Sequence, residues 1–249
     1  TGALFATLLD AGLMHADAKT CFGNGFGDFC QEPTLIDGQI EWRSAAATSL
    51  DPEILTTPAM PFAPNGGVKL LEGNLGRSVI KTSAVQEQHH IVEAPAVVID
   101  DQDDLKPLFE AGELDKDCVV VVRFQGPAAN GMPELHKLTP MLGVLQDRGH
   151  KVALVTDGRM SGASGKVPAA IHLVPEASQG GPLGKIQTGD VIRLDATTGE
   201  LSAHIDETEL RSRTEAQAPN VPGTVGRGLF SNNRLAISSA EEGASSLFI

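Results

Sequence analysis

The sequence predicts a mixed β/α fold, a barrel or curled mixed sheet with a few crossover helices, preceded by one separate apolar helix. Eight short apolar runs lie between residues 68 and 205, each bounded by turn residues. Two of them, CVVVVR (118–123) and KVALVT (151–156), run directly into glycine-rich polar loops. A segment of helical period connects those two, so both loops are expected at one end of the sheet.

Taken in order, Ala3 to Leu13 sets Leu4, Leu8 and Leu9 beside Phe5 on one side of a helix, with Gly12 where a left-handed cap belongs. Such a face needs a cover. In CFGNGFGDFC (21–30), the rings of Phe22, Phe26 and Phe29 either pack on the chain's own helix or meet an interface. Residues 31–64 hold five prolines and few apolar repeats beyond Ile36, Ile40 and Trp42, which predicts an irregular connection with one short hairpin. A boundary is expected near Thr56 to Pro64.

After Gly66-Gly67, strands are expected at Val68–Leu71, Val79–Thr82, Ala96–Ile99, Val119–Arg123, Val152–Val155, Ile171–Val174, Val191–Leu194 and Leu201–Ile205. Two helices interrupt them. One covers Asp103–Glu110 and ends at Gly112; the other starts at Glu134 or later and ends at Arg148, with Leu135, Leu138, Leu142 and Leu145 in phase. This second helix implies a right-handed parallel crossover. Beyond Arg213, TEAQAPNVPGTVGRG reads as a linker or arm, and Leu229 to Ile249 as a partly ordered tail.

Composition narrows the function. With 249 residues and 41% apolar content the chain can bury a real core, while a net charge of −13 argues against nucleic-acid or anionic-membrane binding. Cys21, Cys30 and Cys118 cannot all pair and show no zinc spacing, which favours a reducing, cytoplasmic setting. No apolar run approaches the roughly 20 residues of a spanning helix, and no signal segment opens the chain. A start at Thr1 instead of Met suggests a piece of something longer.

Chemistry concentrates in KVALVTDGRMSGASGK (151–166). Asp157, Gly158, Gly162 and Gly165 force a turn that presents Asp157, Arg159, Ser161 and Ser164 at a strand end. A nucleotide phosphate loop is excluded, because six residues separate Gly158 from Gly165 and Val167 follows Lys166. Backbone amides of this loop and a short following helix could still hold some other anion, with Arg123, Arg159 and Lys166 as the local cations. Ser161 reads either as a turn serine or as a nucleophile or base, without a GxSxG elbow or triad histidine. Glu134, behind Pro133, reads either as a helix-capping acid or as a ligand for a hard metal. His172 and Glu176, with Pro175 between them, suit core or capping roles, and His89 and His90 look solvated.

The blocks RFQGPAANGMPELHKLTP, ALVTDGRMSGASGKVPAAIHLVPEASQGGPL and GDVIRLDATTGEL, in this order and spacing, resemble the C-terminal half of the dihydroxyacid and sugar-acid dehydratase family. PNGGVKLLEGNLGRSVIKTSAV, NGMPELHKL and ISSAEEGASS are more similar to its 6-phosphogluconate branch than to its branched-chain amino-acid branch. This resemblance covers nearly the whole chain. It implies elimination of water from 6-phospho-D-gluconate to give 2-dehydro-3-deoxy-6-phosphogluconate in the Entner–Doudoroff pathway. It also implies an iron–sulfur cluster, a divalent metal such as Mg²⁺ and a cytoplasmic homodimer. The cluster ligands would lie in an N-terminal α/β domain outside this chain, since its cysteines do not fall on the cluster motifs. The chain would supply the swivelling β-barrel domain that closes the active site.

On that resemblance, residues 1–33 are the last helix and exit loop of the N-terminal domain, 34–64 a linker, 65–213 the barrel and 214–249 an arm. Ser161 matches a serine acting as an alkoxide base, and Glu134 a metal-ligand carboxylate. Arg159 and Lys166 are candidate substrate-anion contacts. Ala163 departs from relatives that carry Thr there, so no second hydroxyl relay is expected. The chain alone would be inactive. Alternatives are a non-catalytic barrel module that binds an anion or a protein partner through its Phe-rich leader, or a sister dehydratase for another sugar acid or a dihydroxy acid.

Overall fold

Gly12 ends the first helix as its position predicts. Helix α1 (Gly2–Asp10) closes with the Leu13 N–H donating to Leu8 O at 2.9 Å and the Gly12 N–H to Leu9 O at 3.0 Å, around a Gly12 φ of +67°. Those paired bonds satisfy carbonyls that would otherwise be left open. This computed structural model describes residues 1–46, 49–161, 165–219 and 228–247, which fall into two units, Thr1–Gly66 and Gly67–Ile249.

In the first unit, β1 (Lys19–Thr20) and β2 (Gly23–Asn24) form a small ribbon, and β3 (Gln31–Ile36) pairs with β4 (Gln39–Ser44) as an antiparallel hairpin. The aromatic leader packs on its own helix: Phe5 lies 5.4 Å from both Phe26 and Phe29, which are 5.5 Å from each other. Edge and offset geometries of this kind add to what burial alone contributes.

The second unit is a closed eight-stranded barrel. In chain order its strands are β5 (Val68–Gly73), β6 (Gly76–Lys81), β7 (Ile91–Ile99), β8 (Cys118–Val122), β9 (Val152–Thr156), β10 (Ala169–Val174), β11 (Val191–Asp195) and β12 (Glu200–Ala203). Around the barrel they run β10-β6-β5-β12-β11-β7-β8-β9. Strands β7, β8, β9 and β10 are mutually parallel. Their carboxyl ends therefore open at one end of the barrel.

The valine-rich texture of β8 follows from burial on both faces. Val119 and Val121 join the barrel interior with Ala153, Val155 and Leu194, while Val120 and Val122 pack outward under Leu138, Leu142 and Leu145. The helical cover comes from α2 (Leu105–Glu110), α3 (Pro127–Asn130) and α4 (Leu138–Asp147), with α5 (Glu207–Ser212) and α6 (Ser231–Leu235) later in the chain. Three expectations are refined. Strand β7 starts at Ile91, because Glu93 and Pro95 hide an alternating pattern that pairs in register with β11. The helix expected at Asp103 has a 3-10 first turn capped by Asp101, with α2 beginning at Leu105. Helix α4 begins only at Leu138, so Glu134 does not cap it. Within the expected arm, Glu241 pairs with Arg77 of β6 at 3.1 Å, while 220–227 and 248–249 lie outside the described residues.

Candidate active site

The loops leaving β8, β9 and β10 are bound together by one buried carboxylate. Asp157, directly after β9 and wholly buried, accepts from the Gln125 N–H at 2.8 Å, the Ala177 N–H at 2.9 Å and the Phe124 N–H at 3.2 Å. Burial pushes its carboxyl up to about 6, with Glu176 acting in the same sense and the three N–H donors opposing. Sequence reading placed Asp157 among the presented polar groups, but the structure uses it as an internal clamp. Glu176 holds a second join by accepting from the Ala128 and Ala129 N–H groups at 3.1 and 3.0 Å, where α3 begins. That agrees with a capping role.

Tight apposition explains two glycines. A Cβ on Gly158 would stand 2.6 Å from Gln125 Cβ, and one on Gly126 would stand 2.2 Å from Glu176 Oε2. Backbone strain gathers at the same end: Phe124, Met132 and His172 have φ of 60°, 52° and 57°. Such conformations cost of order 1–3 kcal/mol each and persist only where surroundings over-determine them.

Upon this clamp the β8 and β9 loops meet at Glu134. Its Oε1 accepts from the Ser161 backbone N–H at 2.7 Å and its Oε2 from Arg159 Nη1 at 3.1 Å, while Arg159 Nε donates to Met132 O at 2.6 Å. Glu134 and Arg159 also form a single parallel β-bridge. Glu134, Arg159 and Ser161 are thus brought together. Lys166 is directed elsewhere, its ammonium bonded to both oxygens of Asp147 on α4 at 2.8 and 2.7 Å. Arg123 is likewise committed, in a bidentate pair with Asp100 at 2.7 and 3.2 Å. Gly162, Ala163 and Ser164 lie outside the described residues, and no helix follows Gly165 to serve as an anion site before β10 begins.

Ser161 also borders a groove of about 310 Å³ whose wall includes Val68, Val79, Lys81, Ile171 and His172. Burial and the nearby Arg159 charge lower the imidazole of His172 below its ordinary range. Neither Lys81 nor this use of His172 was legible in the sequence. Lys81 reaches the groove only because β6 pairs with β10, setting Ile80 opposite Ala170.

The described residues offer no complete site for the implied metal groups. Among the described residues, no three His, Cys, Asp or Glu side chains converge. Glu134 offers one carboxylate, already engaged by Arg159. Cys118 is buried in β8, its thiol pushed up to about 11 by desolvation, and Cys30 donates to Phe26 O. A buried thiol such as that of Cys118 is a poor candidate for a thiolate ligand. No helix among the described residues is long and apolar enough to cross a membrane.

Comparison with known proteins adds a direct likeness. Residues 53–244 match the family described as "Dihydroxy-acid/6-phosphogluconate dehydratase C-terminal". The chain is 56% identical over 245 residues to a phosphogluconate dehydratase of Pseudomonas aeruginosa, covering 98% of the chain and 40% of that relative. It is 54% identical over 244 residues to the phosphogluconate dehydratase of Escherichia coli K12, with 97% and 40% covered. A dihydroxy-acid dehydratase of Ignicoccus hospitalis is 34% identical over 245 residues, with 97% and 41% covered. The chain spans about 40% of the length of these curated relatives.

Proposed function

We propose, because this chain belongs to the dihydroxy-acid/6-phosphogluconate dehydratase family, that it is the C-terminal part of a hydro-lyase acting on 6-phospho-D-gluconate. The product would be 2-dehydro-3-deoxy-6-phosphogluconate, and the whole enzyme a cytoplasmic homodimer of the Entner–Doudoroff pathway. Identity is 56% and 54% to two phosphogluconate dehydratases against 34% to a dihydroxy-acid dehydratase, which favours the sugar-acid phosphate as substrate. Residues 1–33 would belong with an N-terminal α/β domain, 34–64 would link it to the barrel, and 214–249 would form an arm.

The observation that carries the mechanism is the 2.7 Å bond from the Ser161 N–H to Glu134, which fixes the serine loop against an acidic side chain at the open end of the barrel. In this reading the Ser161 oxygen, as an alkoxide whose hydroxyl proton would pass to a group supplied from beyond this chain, takes the proton on the carbon next to the substrate carboxylate, and the hydroxyl on the following carbon leaves. The resulting enol becomes the 2-oxo acid by gaining a proton at the carbon that lost the hydroxyl. Such a base must be held in position, because an unactivated hydroxyl is far too weak. Glu134 positions the Ser161 backbone, and Arg159 could contact the substrate anion only after leaving Glu134. Glu134 is also proposed to contribute one carboxylate to a divalent ion. Its other ligands, and those of an iron–sulfur cluster, would come from beyond this chain, so departure of the hydroxyl is not assigned to any residue described. Lys166 could contact substrate only after leaving Asp147.

Assay of this chain and of the full-length enzyme with 6-phosphogluconate tests the reading. The full-length enzyme is expected to form the 2-oxo acid, and this chain none. Turnover by the chain alone, or none by the full-length enzyme, contradicts it.

A further inference from the structure

The three cations that the sequence marked as anion contacts are already paired. Arg159 is paired with Glu134, Arg123 with Asp100, and Lys166 with Asp147. A substrate with two anionic groups, held beside Ser161, still needs a counter-charge, since transferring an anion to a protein surface without one is costly.

The groove beside Ser161 supplies one. Its lining includes the apolar side chains of Val68, Val79 and Ile171, and Lys81 lines it as well. Lys81 ends β6, opposite Val68 of β5, and its ammonium makes no ion pair or hydrogen bond among the described residues. Across the groove, His172 is half-buried, and its backbone is held at φ 57° by donating from N to Gly158 O at 2.8 Å. Its imidazole likewise has no hydrogen-bond partner among the described residues. A bulge between Ile171 and Val174 in the β10–β6 ladder accompanies this turn of the backbone. Bulges of this type re-aim side chains beside functional sites.

We infer that the groove shared by Ser161, His172 and Lys81 is a subsite for an anionic group of the substrate, carboxylate or phosphate, with the Lys81 ammonium as its counter-charge and His172 as a hydrogen-bond donor. Apolar neighbours such as Val79 and Ile171 lower the local dielectric and strengthen the pairing. The lowered imidazole of His172 keeps that ring neutral, with one N–H to give. This inference rests on the dehydratase reading for the identity of its ligand.

The test uses Lys81→Gln and Lys81→Arg in the full-length enzyme, with 6-phosphogluconate and unphosphorylated gluconate as paired substrates. Loss of one charge-assisted bond is expected to raise KM for Lys81→Gln by roughly tenfold or more, with kcat changed much less. Lys81→Arg should recover most of the affinity. A rise for both acids identifies the carboxylate as the group held, and a rise confined to the phosphorylated acid identifies the phosphate. A KM unchanged in Lys81→Gln, or a Lys81→Arg as weak as Lys81→Gln, overturns the inference while leaving the reaction intact. If the wild type dehydrates neither acid, the parent reading fails instead. Calorimetric binding of 6-phosphogluconate and inorganic phosphate to wild type and Lys81→Gln then decides: weaker binding by the variant supports the subsite, and equal or absent binding overturns it.

Discussion

The backbone N–H of Ser161 donates to Oε1 of Glu134 at 2.7 Å, although the two residues leave different strands of the barrel. One carboxylate therefore holds the serine loop with one oxygen and the Arg159 guanidinium with the other. Replacing Glu134 with Gln keeps an oxygen for the N–H and removes the charge. In the full-length enzyme, Glu134→Gln should lower kcat/KM by about tenfold or more and weaken the response to Mg²⁺. Titration of activity against Mg²⁺ measures this. An unchanged metal requirement would count against Glu134 as a ligand.

Asp157 predicts a pH effect of definite sign. Its carboxyl sits at about 6 when folded, above its ordinary 3.8, so the folded chain binds the proton more readily than the unfolded chain. Its contribution to stability therefore increases as pH falls from 7 to 4, by roughly 3 kcal/mol at most. Denaturant unfolding of wild type and Asp157→Asn at both pH values isolates the residue. The wild type should gain on the variant towards pH 4; a constant difference would show that the carboxyl is not shifted upward.

Gly158 tests how closely the loops must approach. Ala at this position would bring its Cβ to 2.6 Å from Gln125 Cβ and 3.0 Å from Leu135 Cδ1. Relief requires moving the backbone that leads to Arg159 and Ser161. Gly158→Ala should cost about 1–3 kcal/mol of stability and lower full-length turnover more than it changes substrate binding. Wild-type stability and turnover in the variant would mean that the loop has slack.

Much of the barrel was legible because its strands announce themselves twice, as apolar runs and through the glycines, prolines and acidic residues between them. CVVVV and VALVT could only be strands covered on both faces, and they are. The start of α4 was legible only as Glu134 or later, and it lies at Leu138. Pro133-Glu134 imitates a helix opening, with Pro and an acid in the first turn, but Arg159 and the Ser161 N–H draw Glu134 into another contact. The charge of Lys166 was visible in the sequence, whereas its partner Asp147, 19 residues earlier, was not. Asp157 was recognisable as polar within a turn; that three backbone N–H groups would converge on it depends on long-range pairing of β8, β9 and β10.

Turnover of Ser161→Ala in the full-length enzyme tests the central claim most directly. If Ser161 carries the proton from the substrate carbon, this variant should lose at least about a thousandfold in kcat, while 6-phosphogluconate binds within a few fold of wild type. A variant that forms the 2-oxo acid at near wild-type rate would contradict the assignment.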